Sequence, residues 1–495
     1  MKTKKLKYAL LFLTFVLAVA IAACSADDKT TDTPDGSINA NAGEAPAEPE
    51  TAVNIYDDDL GEFDFDNYQF TVLLRVTPFH FDIQEETGDL IDDALYRRNR
   101  KVEERFNFKF KEVVTENITT TEVPDTGKKS ILAGDNAYDI MLIRCPHAYE
   151  FAMEGLLHPI TLLPHINIDK PYWDKDLTAS WSVANRMFFA AGAYDLSLYS
   201  AIAALLFNKE IVAELNTENL YDLVKEGKWT FDKFEEIAKS AKKDLNGDGA
   251  FDENDRWGLI HERNVLANYF TIGGGVKSID KNSEDIPYVA ALDEKFINVW
   301  DKMIEVTLRS EICYPSPVPW EFDSTYLRDM FINGNSLFFG SVFGILPVLR
   351  AMDTDFGILP YPKYDENQNK YYSILVWNET TSIPVTAGEE ALERTGVILE
   401  ALAAESAKNV VPVYYDIALK TKFARDDESA EMLDLIFANR VFDWGTTIWD
   451  GFIRNGVFVN IYAKRPEALV SELEKMQPKI QKEIDKLIEA FEKSN

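Results

Sequence analysis

The feature that most constrains the fold is a regular alternation of strand-like and helix-like segments after about residue 66. Residues 68–74 form an apolar run that suits a buried strand, and residues 90–106 then place apolar side chains at mostly helical spacing. Residues 106–111 alternate strictly between Phe and polar residues, and residues 139–143 form another short apolar run. Strands that alternate with helices at this rhythm predict an α/β fold, in which helices cover the sheet.

The length of this segment predicts two lobes. The whole chain is 46% apolar and 12% aromatic, which supplies ample material for a core. Roughly 430 residues follow the first 65, and this exceeds what one hydrophobic core usually holds.

The N-terminus predicts export and lipidation. Four lysines within the first seven residues precede an apolar run of about 16 residues, which is too short to span a bilayer comfortably. We therefore expect a signal peptide over residues 1–23. Cys24 follows Ile-Ala-Ala, and this sequence resembles the lipobox of bacterial lipoproteins, in which the cysteine takes a diacylglycerol and becomes the mature N-terminus. The alternative is an ordinary signal peptide with a cysteine nearby.

Residues 24–65 are predicted to be a disordered tether, because they are rich in Asp, Glu, Thr, Ala and Pro and nearly lack large apolar side chains. Several acyl chains on Cys24 would anchor the protein stably. The expected location is the extracellular face of the cytoplasmic membrane.

Charge and cysteine content exclude several classes of function. The formal net charge of −32 argues against nucleic acid and anionic lipid surfaces as partners. Apart from Cys24 the chain has only Cys145 and Cys313, so it has neither a disulfide framework nor a thiolate metal site. These two cysteines could pair or stay as buried free thiols, and we favour buried free thiols. The five histidines show no i, i+4 pair of the kind that a helical zinc site needs.

Five short segments occur in an order that is similar to one known family. They are RNRKVEERFNFK at 98–109, YDI at 138–140, ALLFNKEI at 204–211, GKWTFD at 227–232 and FGILPYP at 356–362. Together they resemble the extracellular solute-binding proteins of ABC importers, family 1, the sugar-binding group that includes maltose-binding protein. The resemblance covers about residues 66–495.

The resemblance implies a two-lobed, periplasmic-binding-protein-like type II fold with hinge crossings and C-terminal helices. Lobe 1 is expected to contain residues 66–196 and 378–437, and lobe 2 residues 197–377 and 438–495. The crossings are expected near residues 195–200 and 374–380. An apolar stripe from Leu469 to Phe491 predicts amphipathic helices, broken or bent near Pro478, that pack on lobe 2. A coiled-coil partner helix is the alternative.

Ligand contacts are expected at the strand ends and crossings, because ligands of open α/β sheets bind beyond the carboxyl ends of strands. Aromatic faces cover the apolar face of a sugar, and polar side chains bind its hydroxyls. The predicted ligand-binding residues are Arg75, Asp139, Arg144, Tyr194, Asp195, Trp257, Ser341, Trp377, Asn378 and Trp444. Burial in the core is the alternative for each tryptophan, and an ion pair or solvation is the alternative for each arginine.

Residues 244–255 predict a structural Ca²⁺ loop, because oxygen side chains fall at positions 1, 3, 5, 9 and 12 and a glycine at position 6. The predicted ligands are the side chains of Asp244, Asn246, Asp248, Asp252 and Asp255 and the backbone carbonyl of Ala250. Residues 230–243 suit an incoming helix, but no long exiting helix is indicated, so a full EF-hand is not expected. An acidic turn that binds nothing is the alternative.

The sequence thus predicts a monomeric, lipid-anchored receptor that captures a carbohydrate by hinge closure and delivers it to an ABC permease. No catalytic constellation is recognisable, so an enzyme is not expected. The alternatives are a secreted glycan-cleaving enzyme and a sugar sensor for a two-component system.

Overall fold

The computed structural model describes residues 55–493, except 78–79, 116–120, 318–322, 350–351, 377 and 416–426. The predicted signal peptide, Cys24 and the tether up to residue 54 lie outside the described residues. Within the described part of the chain, each helix is too short or too polar to cross a membrane.

The described strands are β1 (Tyr68–Arg75), β2 (Phe108–Thr115), β3 (Ile140–Arg144), β4 (Leu157–His158), β5 (Ala203–Asn208), β6 (Trp257–His261), β7 (Asp280–Lys281), β8 (Pro287–Tyr288), β9 (Ser336–Val342), β10 (Phe356–Leu359), β11 (Ser373–Ile374), β12 (Glu379–Pro384) and β13 (Arg440–Val441).

The described α-helices are α1 (Leu90–Phe106), α2 (Glu122–Ala133), α3 (Cys145–Met153), α4 (Lys175–Ser180), α5 (Ser197–Ser200), α6 (Lys209–Leu215), α7 (Leu220–Lys225), α8 (Phe231–Ala241), α9 (Leu266–Gly273), α10 (Glu294–Ile304), α11 (Asp323–Ile332), α12 (Leu346–Leu349), α13 (Glu389–Asn409), α14 (Asp427–Ala438), α15 (Trp444–Thr447), α16 (Val459–Tyr462) and α17 (Leu469–Lys493).

The first sheet has the order β2-β1-β3-β12-β4. Strands β2 and β3 pair with β1 in parallel, whereas β12 pairs with β3 and β4 in the antiparallel sense. Phe70, Val72, Leu73 and Leu74 of β1 have no exposed surface, as expected for a central strand that is covered on both faces.

Helix α1 illustrates why the predicted elements form where they do. The Asp89 side chain accepts hydrogen bonds from the backbone N–H groups of Ile91 and Asp92 and so caps the amino end. The helix ends at Asn107, which adopts the left-handed conformation with φ 51°. One face of α1 is buried and packs against α13. The helix and the three strands predicted at this end of the chain are therefore confirmed.

The second sheet has the order β10-β5-β9-β6. Strand β5 is antiparallel to both of its neighbours, and β6 is parallel to β9. All six residues of β5 are buried, so this strand is central. Two separate sheets, each covered by helices, confirm the predicted α/β class and its two-lobed architecture.

The connections between the two sheets run side by side. Val376 N–H donates to the Ala201 carbonyl at 3.0 Å, and Leu375 N–H donates to the Val441 carbonyl at 2.8 Å. Strands β11 and β13 pair in parallel at the same place. Three crossing segments therefore form one hydrogen-bonded junction between the lobes.

Helix α14 packs on the second sheet, although the predicted boundaries placed its residues up to 437 in lobe 1. Ser429 Oγ lies 2.8 Å from the Tyr221 hydroxyl of α7 and accepts a hydrogen bond from the backbone N–H of Ile358 in β10 at 3.2 Å. The chain therefore returns to lobe 2 before α14. The amphipathic pattern of a helix shows that it packs, but does not show against which sheet.

The C-terminal helix makes the predicted contact with lobe 2, and of the two predicted alternatives at Pro478 a break is not observed. Helix α17 is a single element of 25 residues with Pro478 inside it, and it is not broken there. It contacts lobe 2, but its end also reaches lobe 1, where the Phe491 ring stacks on Tyr149 of α3 with centroids 6.0 Å apart. The predicted apolar stripe is confirmed, since Leu469, Leu473 and Phe491 are buried.

Residues 55–65, which the sequence analysis assigned to the tether, pack on lobe 1. Asp58 forms an ion pair with Arg105 at 2.5 Å, and Phe65 N–H donates to the Phe106 carbonyl at 2.9 Å. The Phe63 ring lies edge-on to that of Phe106 at 6.2 Å. The folded body therefore begins before residue 66.

Candidate functional site

One edge of the first sheet gathers three charged residues. Arg75 ends β1 and Arg144 ends β3, and both strands point the same way. Glu379 begins the antiparallel strand β12 and lies opposite Arg144 in the ladder. The parallel strands thus present two guanidinium groups at their carboxyl ends, where open α/β sheets bind ligands.

A cavity of about 460 Å³, which we call the interlobe cavity, opens beside this edge. Lobe 1 contributes Arg75, Asp89 and Glu379 to its wall, and lobe 2 contributes Val342 and Phe343 from the end of β9. Further lining residues come from the first crossing and from the end of the long helix of lobe 1, and they are Ser197, Ser200, Ala201 and Tyr414. The volume falls within the range of about 300–1,000 Å³ that is usual for ligand pockets.

Buried carboxyl groups dominate the electrostatics of this cavity. Glu379 is 7% exposed and forms an ion pair with Arg75. Burial raises the pKa of Glu379, while Arg75 and Arg144 act in the opposite direction. Burial also raises the pKa of Asp195 to about 7, and the nearby charge of Glu379 adds to this rise. The sheet edge therefore holds the carboxyl group of Glu379, which both arginines influence, and the nearby carboxyl group of Asp195, whose pKa is raised by burial.

Two polar atoms at this edge have no hydrogen-bond partner among the described residues. They are Oδ1 of Asn378, whose side chain is fully buried, and Nε of Arg144, which is shielded from solvent. Buried polar groups are nearly always hydrogen-bonded in folded proteins. Of these two residues only Arg144 lines a cavity, so its donor is the one that a polar ligand could satisfy.

A second cavity has a volume of about 530 Å³ and is lined by Arg144. We call it the Arg144 cavity. Residues of the loop and helix after β3, among them Arg144 and His147, form one wall. Trp449, Asp450 and Phe452 from the segment before α16 form the other. Arg144 interacts electrostatically with Arg75, which lines the interlobe cavity, and with Asp450, which lines the Arg144 cavity.

The structure brings several predicted ligand-binding residues together. Arg75, Arg144, Asp195 and Asn378 cluster at the sheet edge, as the mutual charge effects of Asp195, Glu379 and the two arginines show. Ser341 in β9 lies one residue before Val342 of the interlobe cavity. Trp377 lies outside the described residues. The predicted ligand contacts of these residues remain predictions.

Asp139 does not fit the predicted role, because it lies at the amino end of β3. Its carboxylate accepts hydrogen bonds from Thr71 N–H at 2.7 Å and from the Tyr68 hydroxyl at 2.9 Å, and it lies 3.6 Å from Arg394. Strand β3 has five residues, so roughly 16 Å of extended chain separates this end from the cavity edge. Asp139 joins two strands and a helix and faces away from the gap.

The three other predicted aromatic contacts are buried in the protein core. Tyr194 donates its hydroxyl to Thr381 Oγ1 at 2.8 Å inside lobe 1. Trp257 donates its indole N–H to the Asp252 carbonyl at 2.8 Å, at the end of β6 that is remote from the gap. Trp444 is 2% exposed and donates to the Ser180 carbonyl at 2.8 Å. The alternative reading of these side chains as core residues fits the structure.

Sequence reasoning missed several residues that line the two cavities, among them Phe343, Glu379, Tyr414, Trp449 and Asp450. Glu379 could have been found, because it follows Asn378 directly in the return crossing. Trp449 follows the third crossing segment, around Val441, and the position of Trp449 depends on that crossing. No local sequence pattern indicates that Trp449 lines a cavity.

The predicted calcium loop forms a set of tight turns. The incoming helix is confirmed as α8, and β6 follows the loop. Asp244 accepts hydrogen bonds from Gly247 N–H at 2.6 Å and from Gly249 N–H at 2.9 Å. Both carboxylate oxygens of Asp255 accept backbone hydrogen bonds, from Leu245 and Asp252, and these bonds lower the pKa of Asp255.

The positions of the carboxylates in this loop do not match those of a formed Ca²⁺ site. Among the described residues, no three His, Cys, Asp or Glu side chains are placed to share a metal ion. Asp255 is fully buried and already satisfied, so it is poorly placed as the ligand at position 12. Calcium binding therefore stays a prediction that requires the carboxylates of the loop to converge on the ion.

Cys145 and Cys313 do not form a disulfide with each other, and Cys145 is buried whereas Cys313 is partly exposed. The lack of a bond between them agrees with the preferred alternative of the sequence analysis. Burial raises the pKa of the Cys145 thiol far above its usual value, so this group is an unreactive, neutral side chain near the cavity edge.

Solved structures share the fold of this chain at low sequence identity. UgpB from Mycobacterium tuberculosis, in complex with glycerophosphocholine, has a TM-score of 0.57 and 14% identity over 85% of this chain and 99% of that one. An ABC substrate-binding protein from Listeria monocytogenes, in complex with cycloalternan, has a TM-score of 0.55 and 12% identity over 84% of this chain and 100% of that one.

The GacH receptor of Streptomyces glaucescens, solved unliganded and in complex with acarbose, is similar in the same way. It has a TM-score of 0.54 and 13% identity over 85% of this chain and 99% of that one. No curated protein sequence matches the chain significantly.

A sequence profile supplies the family assignment. The profile described as bacterial extracellular solute-binding protein matches residues 99–393, which is more than half of the chain. The matched region includes the whole second sheet and strands β2, β3, β4 and β12 of the first, with Arg144 and Glu379, whereas β1 and Arg75 precede it. The chain belongs to the bacterial extracellular solute-binding protein family.

Proposed function

We propose that this protein is the lipid-anchored substrate-binding component of an ABC importer, and that it captures a carbohydrate or oligosaccharide and delivers it to a membrane permease. The observation that carries the proposal is the interlobe cavity, which lies at the carboxyl end of β1 and is lined by both lobes. A ligand held there contacts both halves of the molecule at once.

The chemistry of the cavity wall suits a polyhydroxylated ligand. Arg75 offers N–H donors, and Glu379 and Asp89 offer acceptors. Phe343 and Tyr414 also line the cavity, although both rings are almost entirely buried in this structure. Two of the similar proteins were solved with the carbohydrates cycloalternan and acarbose, and this also supports a carbohydrate ligand.

Hinge closure follows from the three crossings. Because the lobes are joined by short hydrogen-bonded segments around Ala201, Leu375 and Val441, small backbone rotations there change the width of the gap. A ligand that contacts both lobes binds the closed form better and so shifts the equilibrium towards it.

Lipidation of Cys24 would keep the receptor beside the membrane, where a permease can accept the ligand. Two alternatives remain in other classes, namely a secreted enzyme that cleaves glycans and a sensor that reports a sugar to a two-component kinase. Neither alternative is favoured by a specific feature of the described residues.

A binding screen with product analysis tests the proposal. The purified protein is heated with members of a neutral and acidic oligosaccharide panel, and with glycerophosphocholine as a ligand of another class. We expect at least one oligosaccharide to raise the midpoint of thermal unfolding and to be recovered intact by chromatography. Cleavage of the bound oligosaccharide would establish an enzyme, and stabilisation by glycerophosphocholine alone would exclude a carbohydrate receptor.

A further inference from the structure

Arg144 is the unpaired cation of the candidate site. Its side chain forms no hydrogen bond or ion pair with any described residue, and its Nε is shielded from solvent. Burial lowers the pKa of Arg144, and the positive charges of Arg454 and Arg75 lower it further. Leaving a shielded guanidinium without a counter-ion is unfavourable, because burial removes the water that would otherwise solvate the charge.

The two neighbouring guanidinium groups already have carboxylate partners. Arg75 pairs with Glu379, and Arg454, which is 7% exposed, pairs with Asp450 at 2.5 Å. Glu379 also attracts Arg144, but its shorter contact is with Arg75. Three guanidinium groups therefore share two carboxylates, and one positive charge is left over at Arg144.

The other acidic residues that line the Arg144 cavity do not supply the missing charge. Glu150 lies 3.1 Å from His147, and Glu483 lies 2.8 Å from Lys486. Asp195 does not line this cavity; burial raises the pKa of its carboxyl group, and its charge affects the Cys145 thiol.

The Arg144 cavity has room for a ligand group and a surface on which a sugar can lie. Its volume is about 530 Å³, and the partly exposed ring of Phe452 contributes apolar surface to its lining, whereas Trp449 is almost entirely buried. A guanidinium group can hold a carboxylate or a phosphate through two parallel hydrogen bonds.

We propose that the ligand of this protein carries an anionic group, a carboxylate or a phosphodiester, that pairs with Arg144. This inference rests on the proposed function, because it specifies the protein's ligand and places the anionic group in the Arg144 cavity, where Arg144 lies opposite Glu379 of the interlobe cavity in the ladder. The negative net charge of the protein does not oppose it strongly, since surface charges farther than about 8 Å are largely screened at physiological ionic strength.

Matched ligands test the proposal. Titration calorimetry is carried out with oligosaccharides of galacturonate, glucuronate or mannuronate, each compared with its carboxyl-reduced neutral form, and with glycerophosphocholine. We expect a uronate oligosaccharide to bind at least about 100-fold more tightly than its reduced form. Binding of glycerophosphocholine in place of any uronate would retain the anion site at Arg144 and reject the carbohydrate ligand.

Substitutions locate the anion. We expect Arg144→Gln to weaken binding of the anionic ligand by roughly 100-fold and Arg144→Lys to weaken it less, since a buried charge pair is lost only in the first. Arg97→Gln is the matched control, because Arg97 is 66% exposed on α1 and pairs with Glu86. Arg144→Gln should leave the unfolding midpoint of the ligand-free protein unchanged or higher, because it removes an unpaired charge.

Three results would overturn the proposal. The first is tight binding of a neutral oligosaccharide that Arg144→Gln does not affect. The second is a failure of all anionic probes to bind. The third is equal binding of a uronate oligosaccharide by the wild-type protein and by Arg144→Gln.

Discussion

Glu379 lies opposite Arg144 in the ladder between β3 and β12, yet its side chain forms an ion pair with Arg75 of the next strand. The choice of partner leaves Arg144 facing the second cavity. Glu379 thereby fixes the position of the Arg75 side chain and leaves the Arg144 side chain available to a ligand.

Removing this carboxylate should destabilise the protein. We expect Glu379→Gln to lower the free energy of unfolding by about 1–3 kcal/mol, because Arg75 and Arg144 then face each other without a counter-ion. Urea denaturation measures the change. Glu86→Gln removes an exposed Arg–Glu pair on the same lobe and should cost less than about 1 kcal/mol. Equal effects of the two substitutions would contradict this view of the cavity edge.

The raised pKa of Asp195 predicts a pH-dependent stability. An acid with a pKa near 7 in the folded protein and 3.8 as its ordinary value favours folding fully below about pH 4, and this contribution is lost as the pH rises through 7. Asp195→Asn cannot ionise, so we expect it to be more stable than the wild type by about 2–4 kcal/mol at pH 8 and nearly equal to it at pH 4. Denaturation at several pH values measures this difference, and a difference that is constant with pH would refute the assignment.

The contact between the end of α17 and lobe 1 should contribute to stability. Phe491 is fully buried and lies 4.5 Å from Phe188, measured between ring centroids, besides stacking on Tyr149. We expect Phe491→Ala to lower the free energy of unfolding by about 3–5 kcal/mol. Val470→Ala, on the exposed face of the same helix, is the control and should change it by less than about 1 kcal/mol. A small effect of Phe491→Ala would mean that the helix end does not rest on lobe 1.

The calcium prediction can be decided by removing the metal. If residues 244–255 bind Ca²⁺ with the affinity of about 10⁻⁴ to 10⁻³ M that is usual for extracellular modules, 10 mM Ca²⁺ stabilises the protein by roughly 1.4–2.7 kcal/mol over EDTA. Asp248→Ala should abolish this difference. Glu253→Ala, a neighbouring acid outside the predicted ligand set, should retain it. Identical unfolding midpoints in calcium and in EDTA would leave an acidic turn that binds no metal.

Lipidation of Cys24 is tested by substitution in cells that express the full chain. We expect Cys24→Ser to move the protein from the membrane fraction to the soluble exported fraction and to prevent incorporation of labelled palmitate. Cys313→Ser, which changes a thiol of the folded body, should remain labelled and membrane-bound. Membrane retention of Cys24→Ser without label would point to a different anchor.

Local patterns predicted much of the first sheet. The runs that became β1 and β3 are apolar because central strands are covered on both faces, and the helical spacing of α1 reflects one buried face. Arg75 and Arg144 could be predicted as site residues because each follows directly from the end of a strand. Asp139 precedes β3 and so lies at its amino end, where the rule about carboxyl ends does not support a ligand contact.

The sequence by itself determined the α/β class, the number of lobes and the presence of arginines at strand ends, since these depend on periodicity and on neighbouring residues. Only the tertiary structure decided that Glu379 pairs with Arg75, that Trp449 faces Arg144 and that α14 and α17 contact the lobes as they do. These relationships join residues that are tens to hundreds of positions apart. They depend on how the crossings orient two sheets, and no local property of the chain encodes that orientation.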